Sequence, residues 1–404
     1  MRSERSPSPP GASGGDTPRP ALETLAIHAG QEPDPVHGGV MPNLVLSTTF
    51  RQPEPGKPLR FDYSRSGNPT RAALEACLAE LEHASFGFAF ASGCAAATTL
   101  LGTLTPGAHV VCGDDVYGGT YRLFTRVMAP FGIKTSFVDG TDPAAFAAAF
   151  TAETQLCWLE SPSNPLLKLA DISAIAQAAH ARGVPLVVDN TFASPVLQQP
   201  LELGADIVLH SATKYLNGHS DVVGGALLLR DAALAERLKF LQNAMGAVPS
   251  PFDCYLLLRG LKTLPVRMRA HCESAAVLAQ RLLQHPGVEK VHYPGLTQHP
   301  QYELGQRQMR APGGMLSLVL RGGEPAARRF LQSLHWFALA ESLGGVESLA
   351  EHPALMTHAS IPRPVREAIG ISDGLVRLSV GLEHVEDLWS DLEAALAAAA
   401  KEVG

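Results

Sequence analysis

Four groups of polar residues follow, at once or within a few positions, short apolar segments that have the length of buried strands. In open α/β sheets, ligands bind beyond the carboxyl ends of the strands. These polar residues are therefore the first candidates for a site that does chemistry. The four groups are Ser92-Gly93-Cys94, Tyr117-Gly118-Gly119-Thr120, Asp189-Asn190 and Ser211-Ala212-Thr213-Lys214.

Together the four groups have the chemistry to hold an aldehyde cofactor that carries a pyridine ring and a phosphate. Lys214 can form an imine with the aldehyde, and Asp189 can keep the ring nitrogen protonated so that the ring withdraws electrons. Tyr117 can stack on the ring. The phosphate dianion needs backbone N–H groups at a helix N-terminus and hydroxyl donors. The residues that can supply these phosphate contacts are Gly93, Cys94, Ser211 and Thr213.

Each group also has an ordinary structural explanation. A lysine such as Lys214 after a strand is usually a solvated loop side chain, and an aspartate such as Asp189 often caps a helix. Ser-Gly before a helix often forms only a turn and a cap. Tyr117 in a glycine-rich turn is equally consistent with a surface tyrosine. The residues taken alone therefore leave open both a cofactor site and a set of unconnected loop residues.

Apolar runs that alternate with helical patterns between about residues 68 and 230 predict the sheet that positions these groups. Arg71–Glu82 and Ile172–Ala181 have the i, i+3, i+4, i+7 apolar spacing of a helix with one buried face. Asn68-Pro69 predicts an N-cap followed by a proline in the first helical turn. Continuous apolar strands between helices are typical of an α/β fold with a mostly parallel sheet covered on both faces. The predicted strands are Phe86–Ala91, His109–Cys112, Lys134–Val138, Leu156–Leu159, Leu186–Val188, Ile207–Leu209 and Ala226–Leu229.

The pattern changes after about residue 260. Tyr255–Gln284 predicts a long helix that Gly260 and Pro265 interrupt, and sparser strands and helices follow it. We therefore expect a large cofactor-binding domain over residues 66–260 and a smaller C-terminal α+β domain over residues 261–404. The predicted elements of the second domain are the strands Met315–Leu320 and Val376–Val380 and the helices Pro325–Leu334 and Val385–Ala400.

Composition and charge exclude several classes of protein. Of the 404 residues, 46% are hydrophobic and 18% are charged, as expected of a packed globular protein. A net charge of −7 argues against nucleic-acid and anionic-membrane partners, and no apolar run is long enough to span a bilayer. Residues 1–20 are rich in Pro, Ser and Gly and lack the apolar centre of a signal peptide, so we expect a disordered tail there.

The six cysteines include no C-x-x-C pair and give neither a zinc motif nor a disulfide framework. Reduced, buried thiols indicate a reducing compartment, so we expect a cytoplasmic protein. His219, His352 and His358 have no convergent set of ligands in their sequence neighbourhoods, and we expect no metal site. No G-x-G-x-x-G motif follows the first strand, which argues against a nicotinamide-dependent dehydrogenase.

The same polar groups belong to a series of segments that closely resembles the trans-sulfuration family of enzymes that depend on pyridoxal 5'-phosphate (PLP). This family includes cystathionine γ-lyases, cystathionine γ-synthases and methionine γ-lyases. The segments follow the family order from about residue 22 to 395. They are Tyr63-Ser-Arg-Ser-Gly-Asn-Pro-Thr70, Ala91-Ser-Gly93, Asp115-Val-Tyr-Gly-Gly-Thr120, Glu160-Ser-Pro-Ser-Asn-Pro165, Val188-Asp-Asn-Thr-Phe192, Ser211-Ala-Thr-Lys-Tyr-Leu-Asn-Gly-His-Ser220, Leu256–Arg269, Ala340-Glu-Ser-Leu-Gly-Gly-Val-Glu-Ser-Leu349 and Val376-Arg-Leu-Ser-Val-Gly381.

The resemblance implies a fold and a set of cofactor contacts. The fold would be PLP fold type I, which is aspartate-aminotransferase-like. Lys214 would carry PLP as an imine, Asp189 would contact the pyridinium nitrogen, and Tyr117 would stack on the ring and act as a second acid/base group. The phosphate would be bound by the four residues named above. The family often has methionine in place of Cys94, and this change should be harmless because the contact is made by the backbone.

The resemblance also implies substrate contacts and an assembly. Arg377 would bind the α-carboxylate of a small amino-acid substrate, a task that suits the planar guanidinium fork. Asn164 would lie near the cofactor O3′ and the substrate carboxylate, and Ser342 near the catalytic lysine. Tyr63 and Arg65 would reach the cofactor phosphate of a neighbouring subunit. Residues 21–65 would therefore form an N-terminal arm, and the assembly would be a homotetramer built from two dimers with shared active sites.

Several residues bear on the activity within the family. Glu341 could pair with the distal ammonium of cystathionine or the amine of incoming cysteine, and Asp62 is a second acidic candidate. An acidic residue at position 341 argues against β-lyases, and Gly119 argues against methionine γ-lyases.

We expect γ-elimination of L-cystathionine to L-cysteine, 2-oxobutyrate and ammonia. The alternative is a cystathionine γ-synthase, which joins an O-acylhomoserine to cysteine. A PLP-binding regulatory protein is the non-enzyme alternative, but the lysine, aspartate and arginine that catalysis needs are all present.

Overall fold

Two sheets organise the computed structural model, which describes residues 19–402. Most of the tail predicted to be disordered therefore lies outside the described residues. The larger sheet has seven strands in the spatial order β1-β7-β6-β5-β4-β2-β3. Its strands are β1 (Phe86–Phe90), β2 (His109–Gly113), β3 (Lys134–Val138), β4 (Thr154–Glu160), β5 (Leu186–Asp189), β6 (Ile207–His210) and β7 (Gly225–Leu229).

The larger sheet is mostly parallel, as predicted. Strands β2 to β6 are parallel to their neighbours, and only β7 runs antiparallel to β1 and β6. Because β7 is antiparallel on both sides, β1 and β6 point the same way. The carboxyl ends of β1, β2, β4, β5 and β6 therefore meet at one edge, where the four groups of polar residues stand. All seven predicted strands are confirmed, with bounds that differ by at most two residues at an end.

Apolar residues cover both faces of this sheet, which explains why its strands are nearly continuous apolar runs. Along β4, Leu156 and Trp158 belong to the core on one face, whereas Cys157 and Leu159 belong to the core on the other. The alternation follows from the two-residue period of a strand. The helices that surround the sheet are α1 (Leu22–His28), α2 (Pro69–Leu81), α3 (Gly93–Leu101), α4 (Gly118–Arg122), α5 (Pro143–Ala149), α6 (Ile172–His180), α7 (Ser194–Leu197) and α8 (Ala232–Met245).

Side-chain caps fix where the helices next to the candidate site begin. The Asn68 carboxamide accepts hydrogen bonds from the N–H groups of Thr70 and Arg71, and Pro69 occupies the first turn of α2, as predicted. Ser92 caps α3 by accepting from the N–H of Ala95 at 3.0 Å. The start of α3 is therefore set by the Ser-Gly pair that follows β1.

The long helix predicted over Tyr255–Gln284 is two helices, α9 (Pro251–Leu261) and α10 (Leu264–Leu283). The break comes just before Pro265, which lies in the first turn of α10. Gly260 does not break the helix but lies inside α9, where a Cβ atom would overlap the carbonyl oxygen of Asn217. This glycine lets α9 approach the segment that follows Lys214.

A second, mostly antiparallel sheet forms the C-terminal α+β part of the chain. Its five strands have the order β10-β11-β12-β9-β8, and it packs on its own apolar core. The strands are β8 (Val288–His292), β9 (Met315–Leu320), β10 (Ala338–Leu339), β11 (Leu349–Glu351) and β12 (Leu375–Ser379). The helices are α11 (Tyr302–Gln308), α12 (Gly323–Ser333), α13 (Arg363–Ile369) and α14 (Val385–Ala400). The four elements predicted here are confirmed, whereas β8, β10 and β11 were not predicted.

The segment between α1 and α2 has little regular structure. Residues 29–68 form only isolated bridges, such as the one between Thr49 and Tyr63. Several of its apolar side chains are largely exposed in a single chain, among them Val36, Val40, Leu46 and Leu59. Within the described residues, no helix is both long and apolar enough to cross a membrane.

Candidate active site

A cavity of about 320 Å³ lies where the carboxyl ends of β4, β5 and β6 meet the C-terminal part of the chain. It brings together almost all of the residues that sequence analysis proposed. Those that line it are Gly93, Cys94, Tyr117, Asn164, Asp189, Ser211, Thr213, Lys214, Glu341, Ser342 and Arg377. Asp62, Tyr63 and Arg65 do not line the cavity of their own chain.

Lys214 extends into this cavity from the loop after β6. Its Nζ donates a hydrogen bond of 2.7 Å to Oγ of Ser342, which belongs to the C-terminal part of the chain. Burial, with a further contribution from the positive charge of Arg377, lowers the pKa of Lys214 to about 8. At pH 7 an amine with this pKa is uncharged in about one molecule in ten, far more often than an ordinary lysine, so it can act as a nucleophile or a base.

Asp189 ends β5 and is held by Thr191. Oδ1 of Asp189 accepts hydrogen bonds from the N–H of Thr191, at 3.1 Å, and from its hydroxyl. The same hydroxyl oxygen accepts from the N–H of Ser211 at 2.9 Å. Thr191 therefore fixes the carboxylate of Asp189 relative to the loop that carries Lys214. Sequence analysis noted the Asp-Asn-Thr segment but assigned no role to this threonine.

Glu160 is a second buried acid at the floor of the cavity and was missed by sequence analysis. It ends β4 directly beside Asp189 in the strand register, and its Oε2 accepts a 2.9 Å hydrogen bond from the N–H of Tyr117. Burial raises the pKa of Asp189, and burial together with the charge of Asp189 raises the pKa of Glu160 well above its usual range. Two adjacent buried acids favour a positively charged partner, such as a protonated ring nitrogen.

The N-terminus of α3 forms one wall of the cavity, and glycines allow a close approach there. A Cβ atom on Gly93 would lie 3.0 Å from Cβ of Ser211, and one on Gly225 would overlap the carbonyl group of Ser92. The first turn of α3 is thus packed against the loop after β6, and backbone N–H groups and the Ser211 hydroxyl come together. Thr213 lies nearby, with its Oγ1 accepting from the N–H of Gly224 at 3.0 Å.

Tyr117 precedes α4 and depends on the two glycines that follow it. A Cβ atom on Gly119 would overlap the Tyr117 ring, and one on Gly118 would overlap the carbonyl oxygen of Thr357. The Tyr-Gly-Gly sequence therefore lets the ring fold back over α4 while α4 packs against the C-terminal part of the chain. Burial raises the pKa of Tyr117, which favours its protonated form.

Arg377 lies in β12 and is almost completely buried. Its Nη1 donates to Oδ1 of Asn164 at 2.8 Å and lies 2.9 Å from Oε1 of Glu351. Its Nη2 donates to the carbonyl oxygen of Ser342 at 2.8 Å. Arg377 and Glu351 face each other across the antiparallel pair β11–β12. Sequence analysis missed Glu351 because it did not predict β11.

Ser342 links the lysine and the arginine of the site. Its hydroxyl accepts from Lys214, and its carbonyl accepts from Arg377. Its φ of 92° lies in a region that non-glycine residues rarely adopt. The backbone conformation of Ser342 thus directs its two polar groups to two different functional side chains. Glu341, the preceding residue, also lines the cavity.

These residues fit a pyridine aldehyde that carries a phosphate. The helix N-terminus and the close Gly93–Ser211 contact form a cradle for an anion. The buried Asp189 uses Oδ1 for Thr191, which leaves Oδ2 for a ring N–H, and Lys214 is an amine with a lowered pKa. Among residues 19–402, no three His, Cys, Asp or Glu side chains come together in an arrangement that could hold a metal ion.

Comparison with protein families identifies this arrangement. Residues 23–397 match the family described as "Cys/Met metabolism PLP-dependent enzyme". The chain belongs to this family. PLP is therefore its cofactor, and the fold is that of a PLP-dependent enzyme of cysteine and methionine metabolism, as sequence analysis expected.

Two similar proteins carry different activity names. A cystathionine beta-lyase of Coxiella burnetii is 55% identical over 377 residues, which cover 93% of this chain and 97% of the relative. A cystathionine gamma-lyase of Dictyostelium discoideum is 55% identical over 376 residues, with the same coverage.

Solved structures share the fold over almost the whole chain. A cystathionine gamma-lyase from Lactobacillus plantarum, complexed with L-serine, matches with a TM-score of 0.92 and 48% identity over 94% of this chain and 99% of that chain. A cystathionine gamma synthase from Xanthomonas oryzae pv. oryzae, in complex with aminoacrylate and cysteine, matches with a TM-score of 0.93 and 47% identity over 96% of this chain and 100% of that chain.

Proposed function

We propose that this protein is a cystathionine γ-lyase, which converts L-cystathionine to L-cysteine, 2-oxobutyrate and ammonia by γ-elimination. The observation that carries the proposal is that Lys214, Arg377 and Glu341 line one cavity. A substrate in this cavity can place its α-carboxylate on Arg377, its Cα–H beside Lys214 and a distal ammonium near Glu341. Cystathionine has all three groups.

Lys214 is the proposed proton carrier. PLP, when bound, supplies an electron-withdrawing ring that stabilises negative charge at the substrate Cα. Lys214 accepts the Cα proton in its uncharged form, which its lowered pKa makes more abundant at neutral pH than in an ordinary lysine. Its contact with Ser342 keeps the amine near the substrate when it is not bound to the cofactor. Lys214 must lose this proton before it can act again, and it then removes a second proton, from Cβ.

The remaining residues orient the reactants. Arg377 holds the carboxylate, and Asn164 steadies Arg377 through its Oδ1. When the Cγ–S bond breaks, the electron pair leaves with sulfur, and Tyr117, protonated because its pKa is raised, can supply the proton that makes the cysteine thiol. Asp189, which Thr191 holds in place, would contact the ring nitrogen, and the start of α3 with Ser211 and Thr213 would hold the phosphate.

Relatives named as gamma-lyases support this proposal, but similar proteins named as a beta-lyase and a gamma synthase require a direct test. Purified holoenzyme is incubated with L-cystathionine alone, and the thiol and the keto acid are identified. We expect cysteine and 2-oxobutyrate in equal amounts. Homocysteine with pyruvate as the main products would indicate cleavage on the other side of sulfur and would contradict the proposal.

The synthase is tested in a parallel reaction with an O-acylated homoserine and cysteine. Cystathionine formation faster than cystathionine cleavage would favour the synthase. Lys214→Ala serves as the control, because loss of both activities and of the absorption of the lysine-bound cofactor assigns them to this site. A colourless wild-type protein that does not take up PLP would contradict the proposed site.

We further propose that the active site is shared between subunits of a homotetramer. Support comes from residues 29–68, whose exposed apolar side chains and lack of regular structure suit a segment that packs on another chain. Tyr63 and Arg65 lie in this segment, away from their own cavity, and the Arg65 guanidinium packs on the Tyr63 ring. Asp62 would then reach the neighbour's substrate.

All six cysteines are free thiols, which supports a cytoplasmic location.

A further inference from the structure

The guanidinium of Arg377 is already engaged on one side. Nη1 lies between Asn164 Oδ1 and Glu351 Oε1, and Nη2 donates to the carbonyl of Ser342. The Nε–H is buried and has no hydrogen-bond partner among residues 19–402. Nη2 carries a second N–H beyond the one that Ser342 accepts. A guanidinium has five N–H donors, so Arg377 keeps donors for a ligand carboxylate beyond those that its three neighbours engage.

Glu351 is the negative charge already next to this guanidinium, with its Oε1 2.9 Å from Nη1 of Arg377. Its side chain is almost completely buried, as is that of Arg377. Its Oε1 accepts a 2.9 Å hydrogen bond from the hydroxyl of Thr357, which lies 2.9 Å from Nδ1 of His358. Burial raises the pKa of Glu351, whereas Arg377 opposes this rise. The stability of the Glu351 anion therefore depends on its contact with Arg377.

We propose that Glu351 is a counter-ion that competes with the ligand carboxylate for Arg377 and thereby weakens carboxylate binding. The inference rests on the proposed function, in which Arg377 binds the α-carboxylate. In the free protein the charges of Arg377 and Glu351 balance. A bound carboxylate places a second negative charge against the same guanidinium. Both the substrate and a keto-acid product carry this charge, so Glu351 favours release at the end of each turnover.

Two effects of removing Glu351 oppose each other, and their sizes decide the outcome. Arg377 loses one of its three holding contacts, but the 2.8 Å hydrogen bonds to Asn164 and Ser342 remain. Those two bonds keep the guanidinium oriented. The loss of a like charge next to the ligand carboxylate is the larger effect, because at the effective dielectric of a protein site it changes affinity by about tenfold or more. Carboxylate ligands should therefore bind more tightly.

Glycine and glycinamide test this inference, because both carry an α-amine and only glycine carries a carboxylate. Each ligand is titrated into the PLP-loaded protein at one pH, and dissociation constants are read from the change in cofactor absorption. The quantity compared is the ratio of the two constants in each protein. Glu351→Gln keeps the size and the acceptor for Thr357 and removes the charge. We expect glycine to bind at least about tenfold more tightly relative to glycinamide than in the wild type.

Glu351→Ala is the second variant and should change the ratio in the same direction if Glu351→Gln does not fold. Glu82→Gln is the matched control. Glu82 is an equally buried acid, 2.6 Å from Nε2 of His210, and does not line the cavity. Its removal should leave the ratio within about twofold of the wild type, since no ligand charge is near it. A similar tightening in Glu82→Gln would mean that the effect is not specific to Arg377 and would overturn the inference.

Two further outcomes separate this inference from the proposed function. If the wild type shows no preference for glycine over glycinamide, or if Arg377→Ala keeps that preference, Arg377 does not bind the carboxylate and the proposed function fails. If the wild type shows the preference and Arg377→Ala loses it, the proposed role stands. Unchanged or weaker relative glycine binding in a folded Glu351 variant then overturns the counter-ion role alone.

Discussion

At the scale of single residues, the surroundings of Lys214 lower the pKa of its amine. Burial removes water that would solvate the ammonium, and Arg377 adds positive charge nearby, so the pKa of Lys214 falls to about 8. The hydrogen bond to Ser342 acts in the opposite direction, because an ammonium donates more strongly than an amine. These influences place the titration of the amine close to physiological pH.

The lowered pKa predicts how the elimination rate depends on pH. Lys214 accepts a proton only when uncharged, so kcat should rise about tenfold per pH unit below its pKa and level off above about 8. Ser342→Ala removes a hydrogen bond that favours the charged form of Lys214. The rising part of the kcat-against-pH curve should therefore move to lower pH by about 0.5 to 1 unit. The check is kcat against pH at saturating cystathionine for both proteins. A rising part that moves to higher pH in Ser342→Ala would contradict this account.

Sequence analysis identified the residues of the site that are local to a strand end but not the residues that support them. Lys214 and Asp189 stand next to recognisable apolar strands, so their positions follow from the strand pattern. Glu351 reaches Arg377 only through the pairing of β11 with β12, and Glu160 reaches Tyr117 across 43 positions of the chain. Such contacts are tertiary, and neither composition nor periodicity encodes them.

At the scale of elements, the turn before α4 shows how two adjacent glycines have different roles. Gly118 lets the backbone of α4 approach the Thr357 carbonyl, whereas Gly119 leaves space for the ring of Tyr117. The first contact involves two backbones that cannot easily move. The second involves a side chain that can rotate away. The same substitution should therefore have different consequences at the two positions.

Gly118→Ala should lower the free energy of unfolding by about 1 to 3 kcal/mol, because the added methyl forces α4 away from Thr357. Gly119→Ala should leave stability within about 1 kcal/mol of the wild type but displace the Tyr117 ring, which would weaken PLP binding by about fivefold to tenfold. Urea unfolding and PLP titration of the cofactor-free protein measure the two quantities. Gly140→Ala is the control, since a Cβ atom there meets open space. Equal stability losses at Gly118 and Gly119 would contradict the distinction.

Sequence analysis predicted the strands that have continuous apolar patterns. It missed or misplaced the elements whose formation depends on packing against distant parts of the chain. The strands of the larger sheet were predicted because they are buried on both faces and read as continuous apolar runs. β10 and β11 have two and three residues, and β11 ends in a buried Glu351, so neither gives a strand pattern. Gly260 was expected to break a helix, yet it lies within α9, where it allows close contact with Asn217. Its role depends on a neighbour that the sequence pattern does not contain.

At the scale of the whole molecule, the irregular segment over residues 29–68, which contains most of the arm predicted over residues 21–65, bears on how many chains make one active site. In the single chain, Arg65 donates to the carbonyl of Asn243 at 2.7 Å, and neither Arg65 nor Tyr63 lines the cavity that holds Lys214. A basic and an aromatic side chain on an exposed arm have the chemistry to complete a phosphate site on another chain. The proposed assembly therefore makes each active site depend on two chains.

Subunit mixing tests this dependence. Lys214→Ala should be inactive because its own site lacks the amine, and Arg65→Ala should lose most activity because the phosphate is held weakly. If the arm serves the neighbour, a mixed dimer contains one intact site, with Lys214 from one chain and Arg65 from the other. Chains unfolded together in equal amounts and refolded with PLP should then recover about a quarter of the wild-type activity, since half of the dimers are mixed and half of their sites are intact. Each variant refolded alone supplies the baseline. If Arg65 serves its own chain, both sites of a mixed dimer are defective, and activity no higher than the baseline would exclude the shared site.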